Sequence, residues 1–452
     1  MNLPHIQSIL RESDVDAWLL YDFRHSNPIA WQTLGISEET HCTRRWAVII
    51  PAEGEPTKIV NGIEVHTLEA VAAKEIRYAT RQDWERTITS TLQGKKRIAL
   101  EYSPNNAIPV VSWVDGGTVE WLRSLGFDLH SSAEVVQKYS AVWSKEQFDD
   151  NKATAKLLRT AMMRCLAYVR EKVLADKIVT EYEVQQEVAK FFEANSMTTY
   201  ALPSVSVNAN SANPHYQPTA EQSAVIKRGD VLLVDMWAKM TKPNSVYSDI
   251  TWMAYIGEEV PERPAILFNT IAAGRDAALK LLYDTFPHQP LRGCDVDDAC
   301  RKIIDDAGFG QYFIHRTGHS ITTDTHGSGA NIDNFETQDI RRLIPMTSFS
   351  IEPGIYIPEE NLGIRIENDI LITENGPIDL MANIPVEVEE IEALINALEP
   401  FGLIEFVRSA RVAIIKSSSG FHEKLKEFEE DEPGETVVEN EYLGHQDEVF
   451  TM

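Results

Sequence analysis

The chain has 452 residues, of which 43% are hydrophobic and 25% are charged, and its formal net charge is −27. This composition is typical of a globular protein, and the length predicts two or three domains. The acidic excess argues against a nucleic-acid-binding protein, which normally carries a basic face, and favours metal or cationic partners. The sequence shows neither a signal peptide nor a run of about eighteen apolar residues, so we expect a cytoplasmic protein that binds no membrane.

Residues 1–143 alternate between strand-like and helix-like segments. The apolar runs are rich in β-forming residues and are bounded by turn residues, and helical spacing appears between them. We therefore predict a small α/β domain over residues 1–143. Its predicted strands cover residues 15–22, 45–51, 57–62 and 97–102.

Ser144 and Gln147 form a capping-box pattern, which predicts that a long helix and a second domain begin there. Two apolar strands follow, VLLVD and VYSDITWMAYIG, and then helices over 262–285 and 295–307. A helix over about 385–398 closes the predicted domain, which covers residues 144–398. Residues 399–452 form an extension, whose part from 423 onward holds eleven acids against two lysines and reads as an acidic, solvated tail.

The four cysteines form no CxxC pair, so we expect a reduced, intracellular chain without disulfide bonds. They are Cys42, Cys165, Cys294 and Cys300.

Residues that suit metal chemistry concentrate between His315 and Asn368, where three histidines, Glu352 and Glu367 occur. Upstream, Asp235 ends an apolar strand and Asp249 lies within a β-rich run. Strands disfavour Asp, and a buried carboxylate is costly unless something compensates its charge.

Each of these acids also has a plain structural explanation when it is taken alone. Asp235 could cap a turn, Glu352 could be a turn residue before Pro-Gly, and Glu367 could pair with Arg365 on an exposed strand. Taken together, four carboxylates and the imidazole of His319 could hold two hard or borderline divalent ions. Such ions lie about 3.5–4 Å apart and clamp both the nucleophilic oxygen and the developing oxyanion. No thiolate takes part, which argues against a structural zinc site.

The ordered motifs VLLVD, SDIT, HRTGHSI, SIEPGIYIP, GIRIEN and EEIEAL resemble those of the pita-bread (M24) metallopeptidases, in particular the aminopeptidase P and prolidase branch. The resemblance covers residues 144–398, and residues 1–143 are similar to the smaller domain that precedes the catalytic domain in that branch. It implies an α+β pita-bread fold, a homodimer, and hydrolysis of Xaa-Pro bonds at the N-terminus of peptides or in dipeptides. It also implies two divalent ions, Mn²⁺ first and Co²⁺ or Zn²⁺ as substitutes, with a metal-bridging hydroxide as the nucleophile.

The same resemblance assigns the metal ligands, of which two would bridge the ions. Asp249 and Glu367 are the implied bridging pair. The full implied ligand set is Asp235, Asp249, His319, Glu352 and Glu367.

The resemblance also implies roles for residues that do not ligate the metal. Glu352, besides acting as a ligand, would take and return the proton. His326 would stabilise the tetrahedral intermediate, and His215 would lie near the substrate. His315 would contact the metal ligands without binding the ions itself. Arg365 would either hold the Glu367 carboxylate in place or bind a carboxylate of the substrate.

The chain departs from the family pattern near the predicted site, and these departures leave the substrate open. Met236 and Trp237 replace small residues, Trp252 replaces a polar residue, Thr322 replaces a glycine, and residues 325–327 read THG. The loop between the two aspartates is about three residues longer than usual. An aromatic cage of Met236, Trp237 and Trp252 would suit a hydrolase or lyase that acts on a small non-peptide cation. A non-catalytic module that binds peptides or proteins is the third hypothesis.

Overall fold

The computed structural model describes residues 1–37, 39–286 and 288–381, together with the backbone of residues 403–408 and 411–416. The helix predicted over 385–398 and the acidic tail from residue 423 lie outside the described residues. Within the described part of the chain, no helix is both long enough and apolar enough to cross a bilayer.

The first domain is built on one mixed six-stranded sheet, whose strands lie in the order Lys74–Tyr78, Thr57–Asn61, Arg45–Pro51, Ala17–Phe23, Arg97–Leu100 and Asp128–Ser131. Two apolar clusters fill the two faces of the sheet, one around Trp18 and Trp46 and the other around Leu19 and Ile49. The α/β architecture and the four predicted strands are confirmed. The strands are β1 (Ala17–Phe23), β2 (Arg45–Pro51), β3 (Thr57–Asn61), β4 (Lys74–Tyr78), β5 (Arg97–Leu100) and β6 (Asp128–Ser131), and the helices are α1 (Leu3–Glu12), α2 (Pro28–Leu34), α3 (Arg81–Thr91), α4 (Gly116–Ser124) and α5 (Ala133–Val136).

A π-helical turn over Gln137–Ala141 leads from this domain to the long helix α6 (Lys145–Leu174). The predicted capping box is confirmed, since the Ser144 hydroxyl accepts the Gln147 N–H and the Gln147 side chain accepts the Ser144 N–H. Satisfying two otherwise unpaired donors fixes the helix start at this position. A second capping box, Thr180 with Glu183, opens α7 (Glu181–Ala194).

The second domain contains two four-stranded sheets, one with β9 at its centre and one in the order β11-β12-β15-β16. Helices α6 and α7 and the pair α8 (Glu262–Thr285) and α9 (Gly293–Asp306) pack around one large apolar core. The first sheet comprises β7 (Met197–Thr198), β8 (Ser204–Val207), β9 (Val231–Met240) and β10 (Ser248–Tyr255). The remaining strands are β11 (Ser320–Ile321), β12 (Ser348–Ile351), β13 (Gly354–Ile357), β14 (Leu362–Arg365), β15 (Asn368–Thr373) and β16 (Gly376–Asp379).

The two sheets meet where β10 approaches the start of β15. The Glu367 N–H donates to the Thr251 carbonyl at 3.2 Å, and the Asp249 N–H donates to the Asp369 carboxylate at 2.8 Å. This junction brings residues that are more than a hundred positions apart in sequence to one place.

The described part of the C-terminal extension forms an antiparallel hairpin, for which the sequence pattern predicted no element. Its strands are β17 (Leu403–Arg408) and β18 (Arg411–Lys416).

Candidate metal centre

The first sheet contributes two aspartates on adjacent antiparallel strands. The register of β9 and β10 places Asp235 opposite Thr251 and Asp249 opposite Trp237. Directly opposed residues, and residues two apart on one strand, project from the same face of a sheet. All four side chains therefore emerge on the face that meets the second sheet.

The second sheet contributes three residues at the ends of neighbouring strands. His319 immediately precedes β11, Glu352 immediately follows β12, and Glu367 immediately precedes β15. Because β12 pairs with both β11 and β15, these strand ends lie side by side. The structure thus brings together the side chains that the sequence separates.

Gly318 allows the chain to pass close to β12 just before His319. A Cβ atom at this position would lie 1.9 Å from the Ser350 carbonyl oxygen, so no other residue fits without moving backbone. The close approach lets the His319 N–H donate to the Ser350 hydroxyl at 3.0 Å. The glycine of the HRTGH motif is therefore required by packing at this position.

Potential ligand atoms of Asp249, His319 and Glu367 all lie within 4.8 Å of one another. The His319 Nε2 atom is 3.2 Å from Glu352 Oε1 and 3.8 Å from Asp249 Oδ2. Divalent ions bind oxygen and nitrogen ligands at about 2.0–2.6 Å, so atoms spaced in this way can share one ion.

Three of the predicted ligands hold a buried oxygen that no described residue hydrogen-bonds: Asp235 Oδ1, Asp249 Oδ1 and Glu367 Oε1. Burial, followed by the charges of neighbouring carboxylates, raises the pKa of Asp249 and of Glu367 well above the usual range. Burying several unpaired carboxylates together is costly unless a cation compensates them. The donor set, rich in carboxylate oxygen and free of thiolate, fits hard or borderline divalent ions.

Glu352 differs from the other acids in its electrostatics. Burial alone would raise the pKa of its carboxyl, but the hydrogen bond with His319 and the charges of His319, His315 and Arg365 hold that pKa below its usual value. The Ser350 hydroxyl also donates to Glu352 Oε1 at 3.1 Å. Glu352 is therefore ionised at neutral pH and available to accept a proton.

Arg365 contacts a different carboxylate from the one expected. Its Nη2 atom lies 2.6 Å from Asp235 Oδ2, and its Nη1 atom donates to the Tyr356 hydroxyl at 2.8 Å. The same hydroxyl is 2.9 Å from His315 Nε2. A partly buried chain of contacts therefore runs from His315 through Tyr356 and Arg365 to Asp235. Sequence reasoning missed Tyr356, although it lies within the SIEPGIYIP motif, four residues after Glu352.

The two remaining histidines lie on the open side of the cluster. The ring of His326 is edge-on to that of His319, with the centroids 4.4 Å apart. Desolvation, followed by the charges of His319 and Arg316, lowers the pKa of His326 to about 4, and His215 adds a smaller contribution to that shift. His326 is therefore neutral at pH 7 and can donate a hydrogen bond. His215 is exposed.

Two further residues that sequence reasoning missed support the predicted ligands. The Thr251 hydroxyl donates to Glu367 Oε2 at 2.8 Å, and the fully buried Asp369 accepts the Asp249 N–H. Both lie within two residues of a predicted ligand, in SDIT and directly after GIRIEN, and that proximity is the signal by which they could have been found.

The aromatic cage that the sequence suggested does not form as expected. Met236 and Trp252 project from the opposite face of the sheet and pack in the apolar core, so their proposed role at the site is wrong. Trp237 does lie on the face of the cluster, opposite Asp249.

Thr322 and Gly327, two of the departures from the family pattern, complement each other in volume. A Cβ atom on Gly327 would lie 2.6 Å from Thr322 Cγ2. The larger residue at position 322 thus occupies the space that a side chain at position 327 would need.

Solved structures of a dipeptidase and a prolidase share this fold. The structure aligns with dipeptidase PepE from Mycobacterium ulcerans with a TM-score of 0.59 and 22% identity, over 84% of this chain and 94% of that chain. It aligns with the prolidase from Pyrococcus horikoshii OT3 with a TM-score of 0.53 and 21% identity, over 84% and 97% of the two chains. Residues 150–374 match the model of metallopeptidase family M24. The chain belongs to this family, and the predicted pita-bread fold behind an α/β domain is confirmed.

Curated relatives carry names from the same branch. A putative Xaa-Pro aminopeptidase of Mycoplasma pneumoniae is 32% identical over 185 residues, which are 40% of this chain and 48% of the relative. The chain thus spans about half the length of that relative. A probable dipeptidase PepE of Mycobacterium bovis is 26% identical over 343 residues, 75% of this chain and 83% of the relative. Residues 380–417 match a model of the small subunit of acetolactate synthase and lie mostly outside the described residues.

Proposed function

We propose that the chain is a metallopeptidase that hydrolyses Xaa-Pro bonds, at the N-terminus of peptides or in dipeptides, with two divalent metal ions. The observation that carries the proposal is the set of buried carboxylate oxygens around His319 that have no hydrogen-bond partner within the described part of the chain. Membership of family M24, and relatives named as an Xaa-Pro aminopeptidase and as dipeptidases, support the reaction class.

Five residues would hold the ions: Asp235, Asp249, His319, Glu352 and Glu367. Their oxygen-rich character suits Mn²⁺, with Co²⁺ or Zn²⁺ as alternatives. When bound, such ions polarise the scissile carbonyl and lower the pKa of a water molecule.

The chain's own residues would supply proton transfer and orientation. Glu352, which is ionised, accepts a proton from the attacking water and returns it to the leaving nitrogen. His326, which is neutral, donates a hydrogen bond to the oxygen on which negative charge develops. Arg365, held between Asp235 and Tyr356, keeps the Asp235 carboxylate oriented. His215, on the exposed loop near His326, would contact the peptide.

A cytoplasmic homodimer is part of this proposal and rests on the sequence and on the family resemblance. Light scattering coupled to size-exclusion chromatography tests the oligomeric state directly. A monomeric mass would remove the dimer from the proposal without touching the reaction.

The deciding experiment is peptide hydrolysis by the metal-stripped protein before and after addition of Mn²⁺. Ala-Pro, Ala-Pro-Ala and Ala-Ala-Ala are compared in one assay, with Glu352→Gln as the matched control that keeps the size of the side chain. We expect Mn²⁺-dependent release of alanine from the proline peptides only, and the length preference distinguishes an aminopeptidase from a dipeptidase. Bound metal without cleavage of any proline peptide would overturn the proposal.

A further inference from the structure

Three aromatic side chains stand together beside the predicted metal ligands. We call Tyr200, Trp237 and Tyr247 the aromatic wall. The ring of Tyr200 lies 5.7 Å from that of Trp237 and 6.4 Å from that of Tyr247, measured between centroids. Since Trp237 is directly opposite Asp249 in the sheet register, the wall borders the Asp249 side of the cluster.

The wall has a buried base and one open ring. Trp237 and Tyr247 are only 9% and 5% exposed, whereas Tyr200 is 65% exposed. The ring of Tyr200 packs beside that of Trp237, which lies opposite Asp249 in the sheet, so the exposed ring borders the cluster. An exposed aromatic ring beside a predicted reaction centre offers a large apolar contact area to a ligand.

Hydrogen bonds and ion pairs hold the base of the wall in place before any ligand arrives. The Tyr247 N–H donates to the Thr322 carbonyl, and its carbonyl accepts from the Asn151 side chain, both at 2.9 Å. In the loop before Tyr247, Lys242 lies 2.8 Å from both Glu146 and Asp150 of α6. A surface that is already ordered does not lose conformational freedom when it binds.

A lysine of the protein already lies against the Tyr247 ring of the wall. The Lys239 ammonium lies 4.8 Å from the centroid of the Tyr247 ring and donates to the Thr323 carbonyl. The protein's own lysine therefore already makes the cation–π contact with Tyr247, and it would repel a second cation. A neutral aromatic or large aliphatic side chain meets no such repulsion.

We propose that the aromatic wall is a specificity subsite that binds a large apolar side chain, preferably an aromatic one, on the substrate residue before the scissile bond. This inference rests on the proposed function, because that function fixes proline after the bond and leaves the preceding residue variable. The wall then selects among Xaa-Pro substrates by stacking against the variable side chain.

The test compares kcat/KM for Phe-Pro-Ala, Ala-Pro-Ala and Lys-Pro-Ala with the Mn²⁺-loaded protein. We expect the Phe substrate to be preferred over the Ala substrate by about tenfold, and the Lys substrate to gain no such advantage. Tyr200→Ala should reduce the Phe/Ala ratio by about fivefold, whereas Tyr200→Phe, which keeps the ring, should retain it. Tyr283→Ala, which removes an exposed tyrosine from α8, is the control and should leave the ratio unchanged.

A binding measurement separates failure of the subsite from failure of the proposed function. Calorimetry with Glu352→Gln, alone and combined with Tyr200→Ala, measures the affinity for the same peptides without relying on turnover. A Tyr200-dependent preference for the Phe peptide without hydrolysis by the unmodified protein would keep the subsite and overturn the proposed function. Hydrolysis with equal loss on all three substrates in Tyr200→Ala, or a stronger preference for the Lys peptide, would overturn the subsite.

Discussion

Glu181 on α7 and Asp249 on β10 are both buried acids of the second domain, with 0% and 4% of their surfaces exposed, yet their surroundings are opposite. Glu181 accepts five hydrogen bonds, which satisfy both of its oxygens and tie α7 to the loop that carries His215. Its donors are Val207 N–H, the Asn210 side chain (once to each oxygen), the Tyr216 hydroxyl and Ala224 N–H.

Asp249, by contrast, keeps one buried oxygen without a hydrogen-bond partner among the described residues, and it lies beside other carboxylates. A buried acid that is fully hydrogen-bonded stabilises the fold, whereas clustered acids that lack partners destabilise it unless a cation binds. The number of hydrogen-bond partners among the described residues therefore distinguishes a structural acid, such as Glu181, from a candidate metal ligand, such as Asp249.

The largest effect is expected from Asp249→Asn, which keeps the size of the side chain and removes its charge. We expect peptide hydrolysis to fall by at least about a thousandfold, because the proposed centre would lose a carboxylate that holds the metal. The metal-free protein should be no less stable than the unmodified one, because a buried and repelled charge has been removed. Metal content, kcat/KM and the melting temperature in chelator measure these effects, and a large drop in that melting temperature would contradict the comparison.

The matched change in the satisfied acid is Glu181→Gln, which should act on stability instead. The amide places an N–H group where the carboxylate accepted donors, so we expect the free energy of unfolding to fall by about 3 kcal/mol. Urea denaturation of the metal-free protein measures the loss. The folded variant should still bind metal, and a variant that loses metal at unchanged stability would show that Glu181 belongs to the centre.

Part of this arrangement could be predicted from the sequence and part could not. The helix start at Ser144 and the acids on strands follow from local patterns, because capping and strand burial are set by neighbouring residues. Strand periodicity could also have separated Trp237 from Trp252: Trp237 is two residues from Asp235 and shares its face, whereas Trp252 is three residues from Asp249 and does not. The contact between Arg365 and Asp235 depends on how two sheets meet, and no local pattern encodes it.

The fit between Thr322 and Gly327 is also not encoded by any local sequence pattern. Each residue alone is only a departure from a family pattern, and their complementarity appears only when the turn brings them together. Likewise, the five hydrogen bonds to Glu181 come from segments spread over residues 207–224, so its sequence position alone does not reveal that it is satisfied.

The pH dependence of the metal-free protein sharpens the comparison further. The pKa values of Asp249 and Glu367 are raised in the folded state, so their stabilising contribution is full below the ordinary carboxyl pKa and is lost as pH rises through the raised values. We expect the melting temperature to fall as the pH rises from the ordinary carboxyl range into the neutral and alkaline range. The lowered pKa of Glu352 acts in the opposite direction, but only at pH values below this window.

Scanning fluorimetry across that pH range, with and without Mn²⁺, measures the effect. Mn²⁺ should raise the melting temperature more at the alkaline end, where the ligands have already released their protons. The double variant with Asp249→Asn and Glu367→Gln should flatten the pH dependence. An equally steep profile in the double variant would place the responsible groups elsewhere.

The smallest effect is expected from Thr251→Val, which removes the hydroxyl that donates to Glu367 Oε2. We expect a loss of about 1 kcal/mol in the stability of the metal-free protein and about a tenfold loss in metal affinity, because the carboxylate is no longer oriented. Thr251→Ser, which keeps the hydroxyl, is the control and should retain the affinity. If valine lowers stability but leaves the metal affinity unchanged, Thr251 only satisfies a buried oxygen, and the orientation of Glu367 comes from its backbone bond to β10.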